Sequence, residues 1–521
     1  MAAERGGEGP GTASPGGAPP GAAPGELRYR SPAGRWVLVA TVLGSGLVML
    51  DASVVNVALP TIAQDFGAGL ATLQWTVNAY TLTLAGLLLL GGSLGDHYGR
   101  RRIFVIGIIW FALASLICGL APSAPALVAA RALQGVGAAL LTPGSLAIIE
   151  ATFHPSDRST AIGAWSGLGG VAAAVAPLLG GFLTVAVSWR LVFLINLPFT
   201  ALALWAAIRH VPESRDPAAP RQLDLAGAAL AALGLAGVTY ALTEGPASGW
   251  LAPAVLVSWV GGLLALAAFV AVERFSQHPM LPIDIFRSRQ FSAANVVTFL
   301  VYGALAGSFF LLPIQLQRVV GLSPLRAGIA LMPVTIVMLL LSARAGRLAQ
   351  RIGPRLPMTL GPLIAAVGLA LMVRIVPGSS YWTTTLPAAL VFALGLSLTV
   401  APLTSTVLAA ASAEHAGVAS AVNNAVARAA GLLAVAILPV AAGLTGSAAL
   451  SPEVFASGFK VAMWICATLV AAGGVLAFVT IRSPAPVDAA RQPEPCTHCP
   501  MDAPLMRRVP EPQPAGEASG R

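Results

Sequence analysis

The chain reads as an all-α polytopic membrane protein with 14 transmembrane helices in a 6+2+6 arrangement. Three observations point there. Hydrophobic residues fill 56% of its 521 positions and charged residues only 10%, whereas soluble domains carry about 25% charged residues. Apolar runs of roughly 20 residues, enough to cross a hydrocarbon layer of roughly 30 Å, recur along almost the whole length. One ten-residue polar stretch occurs twice, Gly92-Ser-Leu-Gly-Asp-His-Tyr-Gly99-Arg-Arg and Gly346-Arg-Leu-Ala-Gln-Arg-Ile-Gly353-Pro-Arg, each joining the second and third spans of a six-helix block.

The first 34 residues are rich in Gly, Pro and Ala and contain no apolar h-region, so they read as a disordered cytoplasmic tail and not a secretory signal. Six spans then begin near Trp36, Trp75, Ile103, Ala124, Thr160 and Leu191 and form an N-terminal half over residues 35–210. Residues 211–222, with Pro212, Glu213, Arg215, Asp216, Pro217 and Arg221, are too charged to cross a bilayer. Two extra spans follow from Leu223 and Pro253, so residues 211–289 are read as a linker with its own helix pair. Spans beginning near Phe291, Ala327, Pro357, Thr384, Ala416 and Lys460 make a C-terminal half over residues 290–481, and residues 482–521 are a second tail.

The net charge of +9 comes almost wholly from arginine, Lys460 being the only lysine. This Ala, Gly, Pro and Arg bias suggests a high-GC bacterium. Arg100 to Arg102, Arg209, Arg215, Arg221, Arg274, Arg287, Arg289 and Arg344 to Arg355 fall in loops of one parity. The positive-inside rule makes those loops cytoplasmic, places both termini inside, and assigns the chain to the cell membrane. Arg318, Arg326 and Arg374 fall near the other face. Spread over short loops, this charge serves orientation and contact with lipid headgroups, with no nucleic-acid partner expected.

The first span contains an expensive group. In Leu50-Asp51-Ala-Ser-Val-Val-Asn56-Val-Ala-Leu-Pro60, Asp51 lies about 22 Å along the helix from Trp36, past the midplane. An ionisable side chain there marks an ion path, a proton relay or a substrate site. Arg131 in the fourth span, which runs inward, comes out roughly 19 Å above the cytoplasmic boundary. The two charges therefore form a candidate pair at matching depth, with Gln134 one turn from Arg131 on the same face. Such a pair serves either to fix helix packing or to couple transport to protons.

Several stretches then carry a resemblance. The residues from Leu50 to Pro60, the loop from Gly92 to Arg102, Arg131-Ala-Leu-Gln134-Gly135-Val-Gly137-Ala-Ala, and Trp189-Arg190-Leu-Val-Phe-Leu-Ile-Asn196-Leu-Pro198 occur in this order. Together they resemble the fourteen-helix drug:proton antiporter branch of the major facilitator superfamily, over roughly residues 36–481, which implies the major facilitator fold. The resemblance implies proton coupling at Asp51 and Arg131. It also implies a conformational latch in the loop of Gly92, Asp96, Gly99, Arg100 and Arg101, with Arg102 beside it. Topological anchoring by positive charge is the alternative for those arginines. In the repeat, Gln350 replaces Asp96 and Pro354 replaces Arg100, so that copy is expected to have lost much of the latch.

The fifth span is similar to the branch's antiporter signature, with Ala176-Pro177-Leu-Leu-Gly180-Gly181 where the signature has glycine before proline. Pro177 removes a backbone donor, and Gly163, Gly167 and Gly170 permit close approach of a neighbouring helix. Asn56, Gln134, Asn295, Tyr302, Asn424 and Arg428 are candidate cavity residues. Asn295, Tyr302 and Gln315 serve alternatively as polar links between helices. With Arg131 and Arg428 set against Asp51, the cavity is expected to suit a neutral, zwitterionic or weakly charged lipophilic molecule better than a dication. Glu244 at the outer end of the seventh span counts against this only if it reaches the cavity.

Two motif matches carry no chemistry. Gly91-Gly-Ser93-Leu-Gly95 lacks the strand-turn-helix of a nucleophile elbow, and Gly167-Leu-Gly-Gly-Val-Ala172 sits inside an apolar span and not after a strand. Cys118 and Cys466 are read as packing residues. Cys496, His498 and Cys499 in the tail lack a second ligand pair, so no metal or cofactor is expected beyond the proton gradient. The expected function is proton-coupled multidrug efflux conferring antibiotic resistance, by a monomer handling a lipophilic small molecule. The alternative is a secondary carrier of a defined metabolite, an importer included. Without a nucleotide loop or clustered metal ligands, an enzyme is not expected.

Overall fold

The structure is a computed structural model. It describes residues 27–216, 223–276, 279–410 and 416–482. The Cys496, His498 and Cys499 cluster, Pro217 and Arg221 lie outside the described residues.

Among the described residues, 14 helices are long and apolar enough to cross a membrane. They are α1 (Pro32–Phe66), α2 (Leu70–Tyr98), α3 (Arg100–Gly119), α4 (Ala124–Thr152), α5 (Pro155–Ala186), α6 (Leu191–His210) and α7 (Leu225–Ser248). They continue with α8 (Pro253–Phe275), α9 (Arg289–Val319), α10 (Pro324–Ile352), α11 (Arg355–Met372), α12 (Tyr381–Ala409), α13 (Gly417–Ala441) and α14 (Pro452–Thr480).

The helix starts follow local chemistry. Ser31 before Pro32, Ser123 before Ala124-Pro125 and Ser323 before Pro324 each accept a hydrogen bond from a first-turn N–H, while proline takes a position where no donor is needed. Asp224 caps α7 in the same way through Gly227 N–H at 2.7 Å. The repeated loop is reproduced in backbone geometry. Gly99 between α2 and α3 has φ +117°, and Gly353 between α10 and α11 has φ +83°, a region that favours glycine.

Packing repeats as well. In the first block α1 packs on α5 and α6, α2 on α4, and α3 on α4 and α6. Shifted by eight helices, α9 packs on α13 and α14, α10 on α12, and α11 on α12 and α14. Helices α7 and α8 pack on each other, and α7 also touches α2 and α13. The two blocks meet along two seams, α2 with α13 and α5 with α10, and more briefly where α1 meets α9.

The α5–α10 seam is closed at one end only. A Cβ on Gly181 would lie 2.5 Å from the Pro324 carbonyl oxygen, and one on Gly328 would lie 2.2 Å from that of Pro177. Further along, the Thr335 hydroxyl donates to Ala174 O at 3.4 Å, and Gly170 faces Leu339. Beyond that point the helices part, since nothing lies within 4 Å of a Cβ built on Gly167 or Gly163. The buried core shows the same asymmetry. One cluster joins Val54, Leu59, Leu73 and Phe193 of the first block to the second block. A separate cluster, with Phe104, Phe111, Phe153 and Ile148, draws its buried members from the first block alone, at the end bearing the Gly99 loop. Among the described residues the bundle is therefore shut at the Asp65 end and open at the arginine-loop end.

Candidate ion-coupling site

Asp51 on α1 is fully buried and Arg131 on α4 is 1% exposed. Arg131 Nη1 donates to Asp51 Oδ2 at 2.5 Å and to Gln134 Oε1 at 2.7 Å, and its Nε donates to Thr76 O on α2 at 3.1 Å. Gln134 Nε2 returns to Asp51 Oδ1 at 2.9 Å. Asn196 on α6 adds a third donor, Nδ2 to Asp51 Oδ1 at 3.1 Å, and also reaches Ser115 Oγ on α3 at 3.0 Å. The Ser115 hydroxyl in turn donates to Phe193 O at 2.9 Å. A carboxylate that accepts three side-chain hydrogen bonds and donates none has the surroundings of the ionised form. Charge-assisted bonds from a planar guanidinium offset the desolvation of both partners.

Aromatic rings seal the cluster. Tyr80 stacks on the Arg131 guanidinium at 4.2 Å and Phe193 lies 5.7 Å from it. Gln134, expected to line the cavity, is instead consumed by this cluster and fully buried. Sequence reading did not single out Asn196 or Ser115 as partners of Asp51. Asn196 was visible only as one residue of the sixth-helix stretch, and Ser115 carried no signal at all.

The loop arginines make contacts with the end of α2 and with the segment just past α6. Arg100 pairs with Asp96 at 2.8 Å, one helical turn away. Glu213, just past α6, accepts the Arg101 backbone N–H at 3.1 Å and approaches its guanidinium at 3.7 Å. A Cβ on Gly99 would lie 2.7 Å from the same carboxylate, so glycine there serves both the turn and the approach of Glu213. Asp216 N–H closes the clamp on Asp96 O at 3.1 Å. A Cβ on Gly92 would lie 3.5 Å from Pro143, an ordinary contact. At the opposite end Asp65 accepts from Trp189 Nε1 at 2.8 Å and pairs with Arg190 at 3.1 Å, which ties α1 to the start of α6.

In the antiporter helix, Gly180 and Gly181 are the tight approaches, Gly180 against Val54 and Gly181 against Pro324 and Leu325. Gly163 and Gly167, expected to admit a neighbouring helix, meet none in this conformation, because the seam has parted at their level.

The remaining polar candidates divide by role. Asn423 donates to Asn295 Oδ1 at 3.2 Å and to Thr298 Oγ1 at 2.8 Å, so Asn295 links α9 to α13. Gln315 Nε2 binds Ile375 O at 2.7 Å. Asn56 has a buried, unpartnered Oδ1. Glu244 accepts from Trp75 Nε1 at 2.7 Å and is thereby held on α2. Tyr302 and Arg428 are half-buried and Asn424 is exposed.

A family model described as the Major Facilitator Superfamily matches residues 41–435. The puromycin resistance protein of Streptomyces alboniger is 38% identical over 465 residues, covering 87% of this chain and 92% of that protein. The tetracenomycin C resistance and export protein of Streptomyces glaucescens is 35% identical over 403 residues, covering 77% and 75%. The methylenomycin A resistance protein of Bacillus subtilis is 34% identical over 412 residues, covering 79% and 88%. Among solved structures, a bacterial homologue of the human lysosomal transporter Spinster, inward-facing, aligns with TM-score 0.60 at 20% identity over 86% of this chain and 97% of that one. A D-xylose–proton symporter aligns with TM-score 0.61 at 14% identity over 86% and 98%. These two likenesses are of fold.

Proposed function

The chain belongs to the major facilitator superfamily, in its antibiotic-resistance and multidrug-efflux branch, and from that premise we propose that it exports a lipophilic drug, antibiotic or natural product in exchange for protons. The observation that carries this reading is the sealed Asp51–Arg131 cluster, an ion pair deep in the bundle beside a molecule open at one end. Names of resistance and export proteins among the relatives support export.

The proposed architecture is two six-helix halves, α1–α6 and α9–α14, with the α7–α8 pair inserted. The recurrence of the packing pattern at a shift of eight helices supports it. The proposed orientation puts the arginine loops in the cytoplasm by the positive-inside rule, which makes this conformation inward-open.

In this conformation the Asp51 carboxyl is held by Arg131, Gln134 and Asn196, the arrangement that the proposed cycle reaches after the proton has left. Rocking of the halves opens the Asp65 end, hydrates the cluster and lets a proton neutralise Asp51 from outside. A neutral carboxyl no longer holds Arg131 as a counter-ion, and this change in the pair favours return to the inward-open state. The small residues Gly163 and Gly167 then serve as the surface on which the open end closes. Extending the register of the existing contacts sets Gly167 opposite Ser342 and Gly163 opposite Gly346. The Asp96–Arg100 pair and the Glu213 clamp keep the α2–α3 loop in one piece during the motion.

The test is transport by proteoliposomes carrying an imposed pH gradient and a panel of antibiotics. Wild-type protein is expected to drive at least one compound uphill, and Asp51→Asn to lose the gradient dependence while still binding that compound. Uphill transport by Asp51→Asn with unaltered response to the gradient would overturn the proposal.

A further inference from the structure

The substrate class follows from a charge that the protein leaves unpaired, and this step rests on the transporter reading above. Ionisable side chains within a membrane protein pair with one another or line a water-filled path. Asp51 and Arg131 obey the first alternative. Arg428, near the middle of α13, has no hydrogen bond or ion pair among the described residues, and it is only half-buried. Arg428 shares its helix face with Gly431, which meets Ala306 of α9, and with Val435, whose carbonyl accepts from Gln74 Nε2 of α2 at 2.8 Å, and its charge acts on the phenols of Tyr80 on α2 and Tyr302 on α9. That face looks into the bundle between the two blocks, not toward lipid.

Three neighbours fit a ligand there. The Tyr302 hydroxyl has no hydrogen-bond partner among the described residues. Asn424, one turn toward the open end on the face of Arg428, is exposed and spends only its amide N–H, on Ser420 O at 3.2 Å. One turn the other way, Gly431 keeps that face flat, and a Cβ there would meet Ala306 at 3.1 Å. By contrast the adjacent Asn423 turns to α9, where its amide nitrogen donates to Asn295 and Thr298.

Among the described residues no acidic side chain pairs with Arg428. Asp51 is saturated by three donors and screened by the Tyr80 ring stacked on Arg131. Glu244 is held by Trp75. We infer that Arg428 and Tyr302 bind the anionic group, a carboxylate or an acidic phenolate, of an otherwise lipophilic substrate. A guanidinium offers a planar fork that matches such a group with two parallel hydrogen bonds, and the phenol supplies a third donor. Export of this anion and import of a proton each amount to positive charge moving inward, so a membrane potential negative inside assists export of an anion more than of a neutral compound.

The test uses three molecules that share one apolar body, 1-pyrenebutyrate, 1-pyrenebutanol and 1-pyrenebutylamine, titrated by fluorescence onto the purified full chain in detergent. Wild-type protein is expected to bind the butyrate more tightly than either of the others by at least about tenfold. Arg428→Gln is expected to bring the butyrate-to-butanol ratio toward one, Arg428→Lys to keep part of it, and Tyr302→Phe to lose a smaller part. Equal affinities in the wild type, strongest binding of the amine, or no binding of the butyrate would overturn the inference. So would an undiminished ratio in a folded Arg428→Gln. If that variant fails to fold, the wild-type ratio and Arg428→Lys decide. Binding in detergent needs no gradient, so loss of the anion preference and loss of proton coupling are separate outcomes.

Discussion

Arg131 uses one nitrogen, Nη1, to bind both Asp51 Oδ2 and Gln134 Oε1, while Gln134 returns its own N–H to the other oxygen of the same carboxylate. The three side chains form a closed ring in which every member depends on the other two. Breaking the ring at one point leaves a buried charge without its partner, which is costlier than never having the pair.

Arg131→Met should therefore destabilise the protein by about 3–5 kcal/mol, and Asp51→Leu combined with Arg131→Met should recover most of that loss. Thermal unfolding in detergent checks both. Recovery of stability without recovery of gradient-driven transport would separate the packing role of the pair from its coupling role.

Arg131→Lys keeps the charge and loses the fork. An ammonium cannot serve Asp51, Gln134 and the Thr76 carbonyl from the positions Arg131 occupies. Transport should fall by about 10- to 100-fold, while fold stability changes less than in Arg131→Met. Initial rates in proteoliposomes report this.

Asn196→Leu removes a donor from Asp51 and one from Ser115. The expected cost is about 1–3 kcal/mol in stability, and the pH profile of transport should change shape relative to wild type. A superimposable profile would show that Asn196 serves packing alone.

At the open end of the α5–α10 seam, the pair Gly163→Cys and Gly346→Cys should form a cross-link only when the halves close there. Oxidative cross-linking is expected to arrest transport, and reduction to restore it. A bulky residue at Gly167 should favour the present conformation, in which the seam is parted at that level. At the closed end, Gly328→Val should strain the seam directly, because its Cβ would meet the Pro177 carbonyl at 2.2 Å.

Glu213→Gln tests the loop clamp. Arg101 and Glu213 are 39% and 32% exposed, so their attraction is screened and the expected stability change is below about 1 kcal/mol. A drop in transport rate well beyond that small change would mark the clamp as part of the conformational cycle.

Much of the site was legible along the chain. Asp51 and Arg131 could be matched by counting helical rise from the edges of their spans, because depth in a membrane is a one-dimensional quantity. The recurrence of Gly99 in Gly353 was equally readable, since a left-handed turn leaves glycine as its trace. The contributions of Ser115 and Asn196 were not readable. Both are small polar residues in apolar helices, and a packing role gives the same sequence signal as a carboxylate contact.

The 14 spans, the matching depth of Asp51 and Arg131 and the internal repeat could be read along the chain, because hydropathy and helical rise are local properties. Tertiary packing sets the azimuth each side chain takes. It turned Gln134 into the ion cluster and left Arg428 without a partner among the described residues. It also decided that the α5–α10 seam closes at Gly181 and parts at Gly167. Those outcomes depend on the rotation and tilt of helices distant in sequence, and packing between helices sets both.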